Sequence, residues 1–311
     1  MSLSRRQFLE ASAFASLLQP AIAADGMPTR VLGKTGARVS VMAMGCGSRF
    51  LAYKTPDKAA EAVETALAQG VTYFDSAYGY GNGQSETFLG PVLKPHRKNI
   101  FLVTKIDARE GDEAWRRIEG ALTRLQTDHL DLMHIHSLAE EDDLAKIEAK
   151  GGILDMLYKA KAQGITRFIG ITCHTNPVVL KKALERHDFD CTQMALNAAR
   201  IGNVKGRPRS FEEIALPVAL GKKMGVTAMK IFGQEKLLGT TSIQSLIRYS
   251  MSLPVAATVL GMPKLEYIKE NAAVAKAFTP MTPEERQKLF DGMPGDKVLA
   301  MNEFFRDHMD A

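Results

Sequence analysis

Eight short apolar segments, each followed by a longer stretch of helical periodicity, constrain the fold of this chain more than any other feature of its sequence. Each segment holds ~5–7 mainly β-branched, aromatic or aliphatic residues, which is typical of buried strands. The predicted strands are Val41–Cys46, Val71–Ser76, Ile100–Ile106, Leu130–His136, Phe168–Cys173, Thr192–Asn197, Val226–Phe232 and Ala256–Met262. Because strands that alternate with helices form a parallel sheet, the pattern predicts an α/β protein.

Amphipathic stretches follow the strands. The predicted helices are Pro56–Gln69, Ser85–Lys94, Asp112–Gln126, Ile153–Gln163, Pro177–Arg186, Phe211–Met224, Ser242–Met251 and Leu265–Phe278. Eight strand–helix units favour closure into a (β/α)8 TIM barrel over an open sheet. The segment Thr29–Ser40 predicts an N-terminal β-hairpin, and Pro283–Ala311 forms a C-terminal extension. Since no linker-like stretch divides residues 24–311, we expect one barrel domain there.

The first 23 residues have the organisation of an export signal. Arg5 and Arg6 form a twin arginine, and a short apolar run over residues 11–18 follows them. Ala21-Ile22-Ala23 then matches a signal-peptidase cleavage site. The apolar run is shorter than the ~20 residues that a membrane-spanning helix needs. The segment 1–23 therefore predicts a twin-arginine signal peptide, a periplasmic protein, and contact with the membrane only during export.

Charge and cysteine content exclude several other classes of protein. The formal charge is +5, from 40 Lys and Arg against 35 Asp and Glu, and it is spread along the chain, so we expect no nucleic-acid partner. No CxxC pair exists, which excludes a zinc-ribbon framework. The strand map places Cys46, Cys173 and Cys191 too far apart for a disulfide, whose Cα atoms must lie within ~7 Å. We therefore predict three free thiols.

Candidate catalytic residues follow from the barrel, because active sites of TIM barrels form at the carboxyl ends of the strands. The second predicted strand ends near Asp75 and leads to Tyr80, the third ends near Lys105, and the fourth ends at His136. An ammonium group near a phenol favours the phenolate, and a carboxylate keeps the ammonium charged and fixed. An imidazole can orient a carbonyl oxygen. This set is an acid for carbonyl reduction, and a cofactor must supply the hydride.

The same residues resemble the aldo-keto reductases. The resemblance covers essentially all of the chain after the signal, in matching order and spacing, and its motifs are Gly70–Gly81, Phe101–Lys105, Leu130–His136, Phe168–Thr172, Gln193 and Glu270–Asn271. It implies an NAD(P)H-dependent oxidoreductase that reduces a small aldehyde or ketone to an alcohol. By this resemblance Tyr80 is the proton donor, Lys105 and Asp75 tune it, and His136 orients the substrate carbonyl.

The resemblance also implies a cofactor site for NADPH, with NADH as the alternative. The residues expected to contact the cofactor come from several strand-end loops: Gly47, Ser48, Asp75, Thr172, Gln193, Lys230, Glu270 and Asn271. Thr172 and Gln193 would face the nicotinamide carboxamide, and Lys230 would reach a phosphate. The usual arginine of the 2′-phosphate clamp is absent from this chain, which offers only Lys264 and Lys269 nearby.

Two other classes of function remain open from the sequence. His134 and His136 are two residues apart on a strand, so both can face one side and bind a metal ion, with Asp75 and His174 as further ligands. That arrangement would suit a metal-dependent TIM-barrel hydrolase, although we expect no metal. The third class is a non-catalytic cofactor-binding member of the family. The physiological substrate and the oligomeric state cannot be read from the sequence.

Overall fold

The computed structural model describes residues 21–22, 26–204, 207–208 and 210–306. The predicted signal peptide therefore lies outside the described residues, except for Ala21–Ile22. That dipeptide pairs as a short antiparallel strand, β1, with the strand β2, Pro28–Val31. No helix of the described residues is long and apolar enough to cross a membrane.

Eight parallel strands close into a barrel, as the sequence predicts. The barrel strands are β4 (Met42–Gly45), β5 (Tyr73–Asp75), β6 (Phe101–Ile106), β7 (Leu130–Ile135), β8 (Thr166–Cys173), β9 (Cys191–Ala195), β12 (Gly225–Met229) and β13 (Ala257–Gly261). A short hairpin within the loop after β9 contains β10 (Asn203–Val204) and β11 (Arg207–Pro208). Because β13 pairs with β4, no strand edge of the barrel is left open.

Helices surround the barrel, and most of them contribute buried apolar residues to the main hydrophobic core. They are α1 (Ser48–Leu51), α2 (Pro56–Ala68), α3 (Gln84–Leu93), α4 (Gly111–Leu125), α5 (Glu141–Ile147), α6 (Ile153–Ala162), α7 (Pro177–Arg186), α8 (Phe211–Ile214), α9 (Leu216–Gly221), α10 (Ile243–Met251), α11 (Leu265–Lys276), α12 (Pro283–Asp291) and α13 (Gly295–Arg306). The last two form the predicted C-terminal extension.

The predicted hairpin closes the amino end of the barrel. Strand β3, Arg38–Ser40, pairs with β2, and a 3-10 turn at Gly33–Thr35 joins them. The turn lies against the start of β12: the amide of Lys34 donates to the carbonyl of Lys223 at 2.6 Å. A side chain at Gly33 would lie 2.4 Å from the backbone there, so only glycine fits. A second apolar cluster, which includes Leu32 and Val39 of the hairpin, fills the barrel interior at this end.

One helix that the sequence predicts as continuous is divided in two. The stretch Phe211–Met224 forms two short helices, α8 and α9, rather than one. Pro217 is in the first turn of α9, where its missing amide hydrogen breaks no helical hydrogen bond. In the interior of one continuous helix the same proline would have removed such a bond. The acidic stretch at Glu141 also forms a helix, α5, which adds an element between β7 and α6.

The cysteines are free, as predicted. Cys46, Cys173 and Cys191 are all buried, and none forms a disulfide within the described residues. Burial raises the pKa of the Cys173 thiol to about 11 and raises the pKa of the other two further. All three side chains are therefore neutral packing groups at physiological pH.

Candidate active site

Three neighbouring strands bring four polar side chains to the carboxyl end of the barrel. Asp75 is the last residue of β5, Lys105 lies near the end of β6, and His136 directly follows β7. Tyr80 lies in the loop between β5 and α3. Because β5, β6 and β7 pair in parallel, their carboxyl ends meet at one rim of the barrel. The structure thus brings the predicted catalytic side chains together.

The Lys105 ammonium is at the centre of this group. Its Nζ donates to Asp75 Oδ2 at 2.8 Å, to the Ser76 carbonyl at 2.8 Å, and to Tyr80 Oη at 3.2 Å. The side chains of Lys105 and Asp75 are 1% and 3% exposed, so their ion pair is shielded from water. The His136 ring meets the Tyr80 ring edge-on, with centroids 5.5 Å apart. A phenol, an ammonium and an imidazole therefore face one small volume.

This geometry suits transfer of a proton from the phenol. The ammonium of Lys105 stabilises the phenolate that remains after the proton leaves Tyr80. The carboxylate of Asp75 offsets the cost of burying that ammonium and holds it in place. The arrangement can protonate a developing alkoxide, or accept a proton from an alcohol in the reverse direction.

Buried hydrogen bonds hold the loop that carries Tyr80. The hydroxyls of Ser76 and Ser85, at the two ends of this loop, lie 2.8 Å apart. Ser85 Oγ also donates to the carbonyl of Cys46, at the end of β4, at 2.6 Å. The loop is thereby fixed to two neighbouring strands, which keeps the phenol of Tyr80 in reach of Lys105.

A buried carboxylate that the sequence analysis did not single out supports the same loop. Glu86 accepts hydrogen bonds from Thr104 Oγ1 and from Arg124 Nε, the latter at 2.7 Å. Burial raises the pKa of Glu86 above its ordinary value, although both hydrogen bonds oppose that rise. The local sequence shows only an acid in the first turn of α3, and nothing near it indicates its partner Arg124, which is 38 residues away.

A cavity of about 510 Å³ opens beside Tyr80 and Asp75. Most of the predicted cofactor residues line it: Gly47, Ser48, Asp75, Gln193, Lys230, Glu270 and Asn271. Thr172 does not belong to this lining. Its Oγ1 instead accepts the amide of Ser137 at 2.8 Å. The structure therefore places Thr172 in the support of the turn after β7.

Three charged residues of the cavity were not predicted from the sequence. Arg49, in the short helix α1 after β4, and Glu235, in the loop after β12, both line the cavity, and Arg49 Nε lies 3.1 Å from Glu235 Oε1. Lys236 also lines it. Arg49, Lys230 and Lys236 thus give the cavity three cations, which come from the segments after β4 and β12. Met229 and Tyr267 add apolar surface.

His134 lies beneath this group, inside the barrel. It pairs in register with Lys105 and is fully buried, and neither ring nitrogen has a hydrogen-bond partner among the described residues. Burial lowers the pKa of His134 well below its ordinary value, and Lys105 and His136 add to that shift. Within the described ranges, no three His, Cys, Asp or Glu side chains are grouped so that they could hold a metal ion. The ligand set that the hydrolase alternative needs is therefore not assembled there.

A closed eight-stranded barrel that brings a tyrosine, a lysine, an aspartate and a histidine together at its carboxyl rim, beside a cavity, is typical of the class of barrel oxidoreductases. Comparison with known protein families identifies the family within this class. The model of the Aldo/keto reductase family matches residues 42–242, more than half of the chain. The chain belongs to this family.

Curated relatives are similar over part of their length. The L-galactose dehydrogenase of Arabidopsis thaliana is 35% identical over 155 residues, 46% of this chain and 47% of that protein. The uncharacterized oxidoreductase YqkF of Bacillus subtilis (strain 168) is 27% identical over 175 residues, 52% of this chain and 54% of that protein. The chain thus spans about half the length of these curated relatives.

Solved structures agree with the fold. The holo form of the aldo-keto reductase AKR11C1 from Bacillus halodurans superposes with a TM-score of 0.72 at 22% identity, covering 86% of this chain and 97% of that one. An aldo-keto reductase from Klebsiella pneumoniae in complex with NADPH gives a TM-score of 0.67 at 20% identity, covering 85% and 94%. At these identities the likeness concerns the barrel architecture.

Proposed function

We propose that this protein is an NADPH-dependent carbonyl reductase that converts a small aldehyde or ketone into an alcohol. The observation that carries the proposal is the contact of Lys105 Nζ with both Tyr80 Oη, at 3.2 Å, and Asp75 Oδ2, at 2.8 Å, beside the cavity. A buried ammonium between a phenol and a carboxylate provides a proton donor, and family membership supports the oxidoreductase chemistry.

The cavity fits a nicotinamide cofactor. Gln193 lines it, and Gln193 Nε2 is a buried amide donor without a hydrogen-bond partner among the described residues. Because a buried unsatisfied donor is costly, this group favours a ligand with an acceptor such as a carboxamide oxygen. Arg49, Lys230 and Lys236 supply positive charge suited to the phosphates, and Glu270 and Asn271 line the adenine end expected from the sequence. The bound cofactor supplies the hydride.

The side chains of this chain perform the remaining steps. His136 donates a hydrogen bond to the substrate carbonyl oxygen and orients it towards Tyr80. Tyr80 Oη transfers its proton to that oxygen as negative charge develops there. Lys105 stabilises the resulting phenolate, and Asp75 keeps Lys105 charged and in place. In alcohol oxidation the same groups act in reverse order.

A fluorescence titration of residues 24–311 with NADPH and NADH in parallel tests the cofactor assignment without any knowledge of the substrate. We expect saturable binding of both cofactors. NADPH should bind more tightly, because Arg49, Lys230 and Lys236 of the cavity can attract the additional negative charge of its 2′-phosphate. Before the titration, denaturation of the purified protein and chromatography of the supernatant check for a nucleotide already bound. Binding of neither cofactor to nucleotide-free protein would contradict the proposal.

We also propose that the protein is exported folded by the twin-arginine route and acts in the periplasm. The support is the sequence of residues 1–23, with Arg5-Arg6 before a short apolar run. Expression of the full chain in a bacterium with this export route should place the mature protein in the periplasmic fraction. The double substitution Arg5→Lys and Arg6→Lys should leave it in the cytoplasm; an unchanged periplasmic yield would argue against this route.

A further inference from the structure

The turn that carries His136 away from β7 has an unusual backbone. Ser137 directly follows His136 and has φ +50°, in the left-handed region that costs a residue with a Cβ roughly 1–2 kcal/mol. Its amide donates to Thr172 Oγ1 at 2.8 Å, and the amide of His136 donates to the carbonyl of Ile106 at 2.9 Å. Such a turn persists only when its surroundings hold it.

Arg109 holds the carbonyl side of the same turn. Its Nη2 donates to the carbonyl of His136 at 2.8 Å and to the carbonyl of Ser137 at 3.3 Å. Its Nη1 donates to the carbonyl of Asp107 at 3.2 Å, two residues beyond Lys105 on the strand-end segment after β6. One guanidinium group therefore joins the segments that carry Lys105 and His136.

The guanidinium of Arg109 is itself held by a carboxylate. Asp143 accepts Arg109 Nε at 2.8 Å through Oδ1 and Arg109 Nη2 at 3.0 Å through Oδ2, and Oδ2 also accepts the amide of Ala139 at 3.1 Å. Both charged side chains are 18% exposed. The planar fork of arginine can make these contacts and the carbonyl contacts at once, which a lysine ammonium cannot.

We propose that Arg109 is a positioning residue for the reaction: it holds the strained His136–Ser137 turn, and so sets the direction in which the His136 imidazole meets the substrate carbonyl. This inference rests on the proposed carbonyl reduction. Arg109 is outside the residues that line the cavity, so it acts through His136 and not on the cofactor. Its loss should therefore lower kcat and leave cofactor affinity unchanged.

The opposite end of the same strand offers a matched control. Arg97 Nη1 donates to Asp131 Oδ2 at 2.7 Å, and Arg97 Nη2 donates to the carbonyl of His129 at 3.1 Å, beside the amino end of β7. Its side chain is 14% exposed. Arg97 and Arg109 thus bind the backbone next to opposite ends of β7 in the same manner, and only Arg109 binds the catalytic turn.

The test compares Arg109→Met with Arg97→Met, each alone and combined with His136→Asn, using NADPH and 4-nitrobenzaldehyde as probes. We expect Arg109→Met to lower kcat about 10- to 100-fold, a loss typical of a small misplacement of a reacting group. The Kd for NADPH should change by less than about 2-fold. Arg97→Met should lower the Tm but leave kcat of the folded protein within about 2-fold. Where Arg109→Met does not fold, Arg109→Lys takes its place.

The double variants with His136→Asn distinguish a positioning role of Arg109 from general damage to the fold. In the His136→Asn background Arg109→Met should cause no further loss of kcat, because its effect passes through the imidazole. An equal loss in both backgrounds, or an unchanged kcat in the single variant, would overturn the positioning role.

A readout without turnover separates this inference from the proposed reaction. The imidazole resonances of His136 are assigned by their loss in His136→Asn, and should shift in Arg109→Met but not in Arg97→Met. An unchanged His136 resonance in Arg109→Met overturns the inference even if the wild-type protein is active. A wild-type protein that reduces no aldehyde overturns the proposed function, and the resonance then still decides the role of Arg109.

Discussion

The two ends of the barrel each bury a cation, and they do so differently. At the carboxyl end Lys105 has a carboxylate partner, Asp75, and lies against the phenol of Tyr80. At the amino end Arg30 of the hairpin is 1% exposed and forms no ion pair with a described carboxylate. Its Nη1 donates to the carbonyls of Met251 and Val255 at 2.9 and 2.8 Å, and its guanidinium lies 5.3 Å from the ring centre of Phe278.

The difference separates a charge that the proposed reaction uses from a charge that joins elements. Burial lowers the pKa of Arg30 to about 10, since only backbone carbonyls and an aromatic ring offset the loss of water. These contacts tie β2 to the end of α10 and to the segment before β13. Lys105 instead forms an ion pair with a buried carboxylate and contacts a phenol. We expect substitutions at the carboxyl end to change turnover and those at the amino end to change stability.

Replacing Tyr80 with phenylalanine should have the largest effect, and it should change only the turnover number. Without the phenolic proton, kcat for carbonyl reduction should fall by on the order of 10²–10⁴. The Tm and the Kd for NADPH should stay near the wild-type values, because the ring and its packing remain. Steady-state kinetics, thermal unfolding and cofactor titration on the same preparation measure all three. Retention of most of the activity would refute Tyr80 as proton donor.

A substitution in the middle of the barrel should change the free energy of unfolding. A Cβ added at Gly170 would lie 2.4 Å from His134 Nδ1 and 2.5 Å from the carbonyl oxygen of Cys191. Gly170→Ala should therefore lower the free energy of unfolding by about 1–3 kcal/mol, the usual cost of overpacking. Gly221→Ala is the control, because nothing lies within 4 Å of its added Cβ. Equal stability of the two variants in urea unfolding would contradict the close approach of His134 to β8.

At the amino end, Arg30→Met should cost stability and spare catalysis. The substitution leaves the buried carbonyls of Met251 and Val255 without their donor, which we expect to cost about 2 kcal/mol in free energy of unfolding. The kcat of the folded variant should equal that of the wild type. Arg38→Met, at the exposed first residue of β3 in the same hairpin, should stay within about 0.5 kcal/mol. A stabilised Arg30→Met variant would mean that the unpaired charge costs more than its hydrogen bonds contribute.

The smallest effect at neutral pH concerns His134. Its pKa is lowered in the folded protein, so below the ordinary value of ~6.5 the unfolded chain binds a proton that the folded protein does not. Folding stability is therefore fully present above pH ~6.5, and His134 reduces it by about 1.4 kcal/mol for each pH unit below that. His134→Leu should remove this dependence, measured as urea unfolding from pH 7.5 to 5.

The control for that series is Met133→Leu, a buried neighbour on β7 that carries no titratable group. It should leave the acid-induced loss of stability at the wild-type slope. A wild-type slope in His134→Leu as well would show that other groups cause the loss and that His134 titrates normally.

The proposed catalytic group could be predicted from the sequence because three of its members lie at or next to strand ends. Asp75, Lys105 and His136 are each at or next to the end of an apolar run, and parallel strands place such positions together. Thr172 satisfies the same local criterion, and its hydroxyl accepts the amide of Ser137, a contact that the sequence did not indicate. A strand-end position alone does not show which of several neighbours a short side chain will bond.

The sequence by itself determined the barrel, the hairpin, the strand ends that carry the proposed catalytic set and the free thiols, because these depend on local periodicity and on the order of elements along the chain. Only the tertiary structure decided the contacts of Arg30, Arg109 and Glu86. Arg30 meets Val255 across 225 residues of sequence, and Arg109 meets Asp143 across 34. The physical reason is that buried hydrogen bonds select partners by position in space after the barrel closes, and a charged residue in an ordinary loop or strand carries no local mark of its partner.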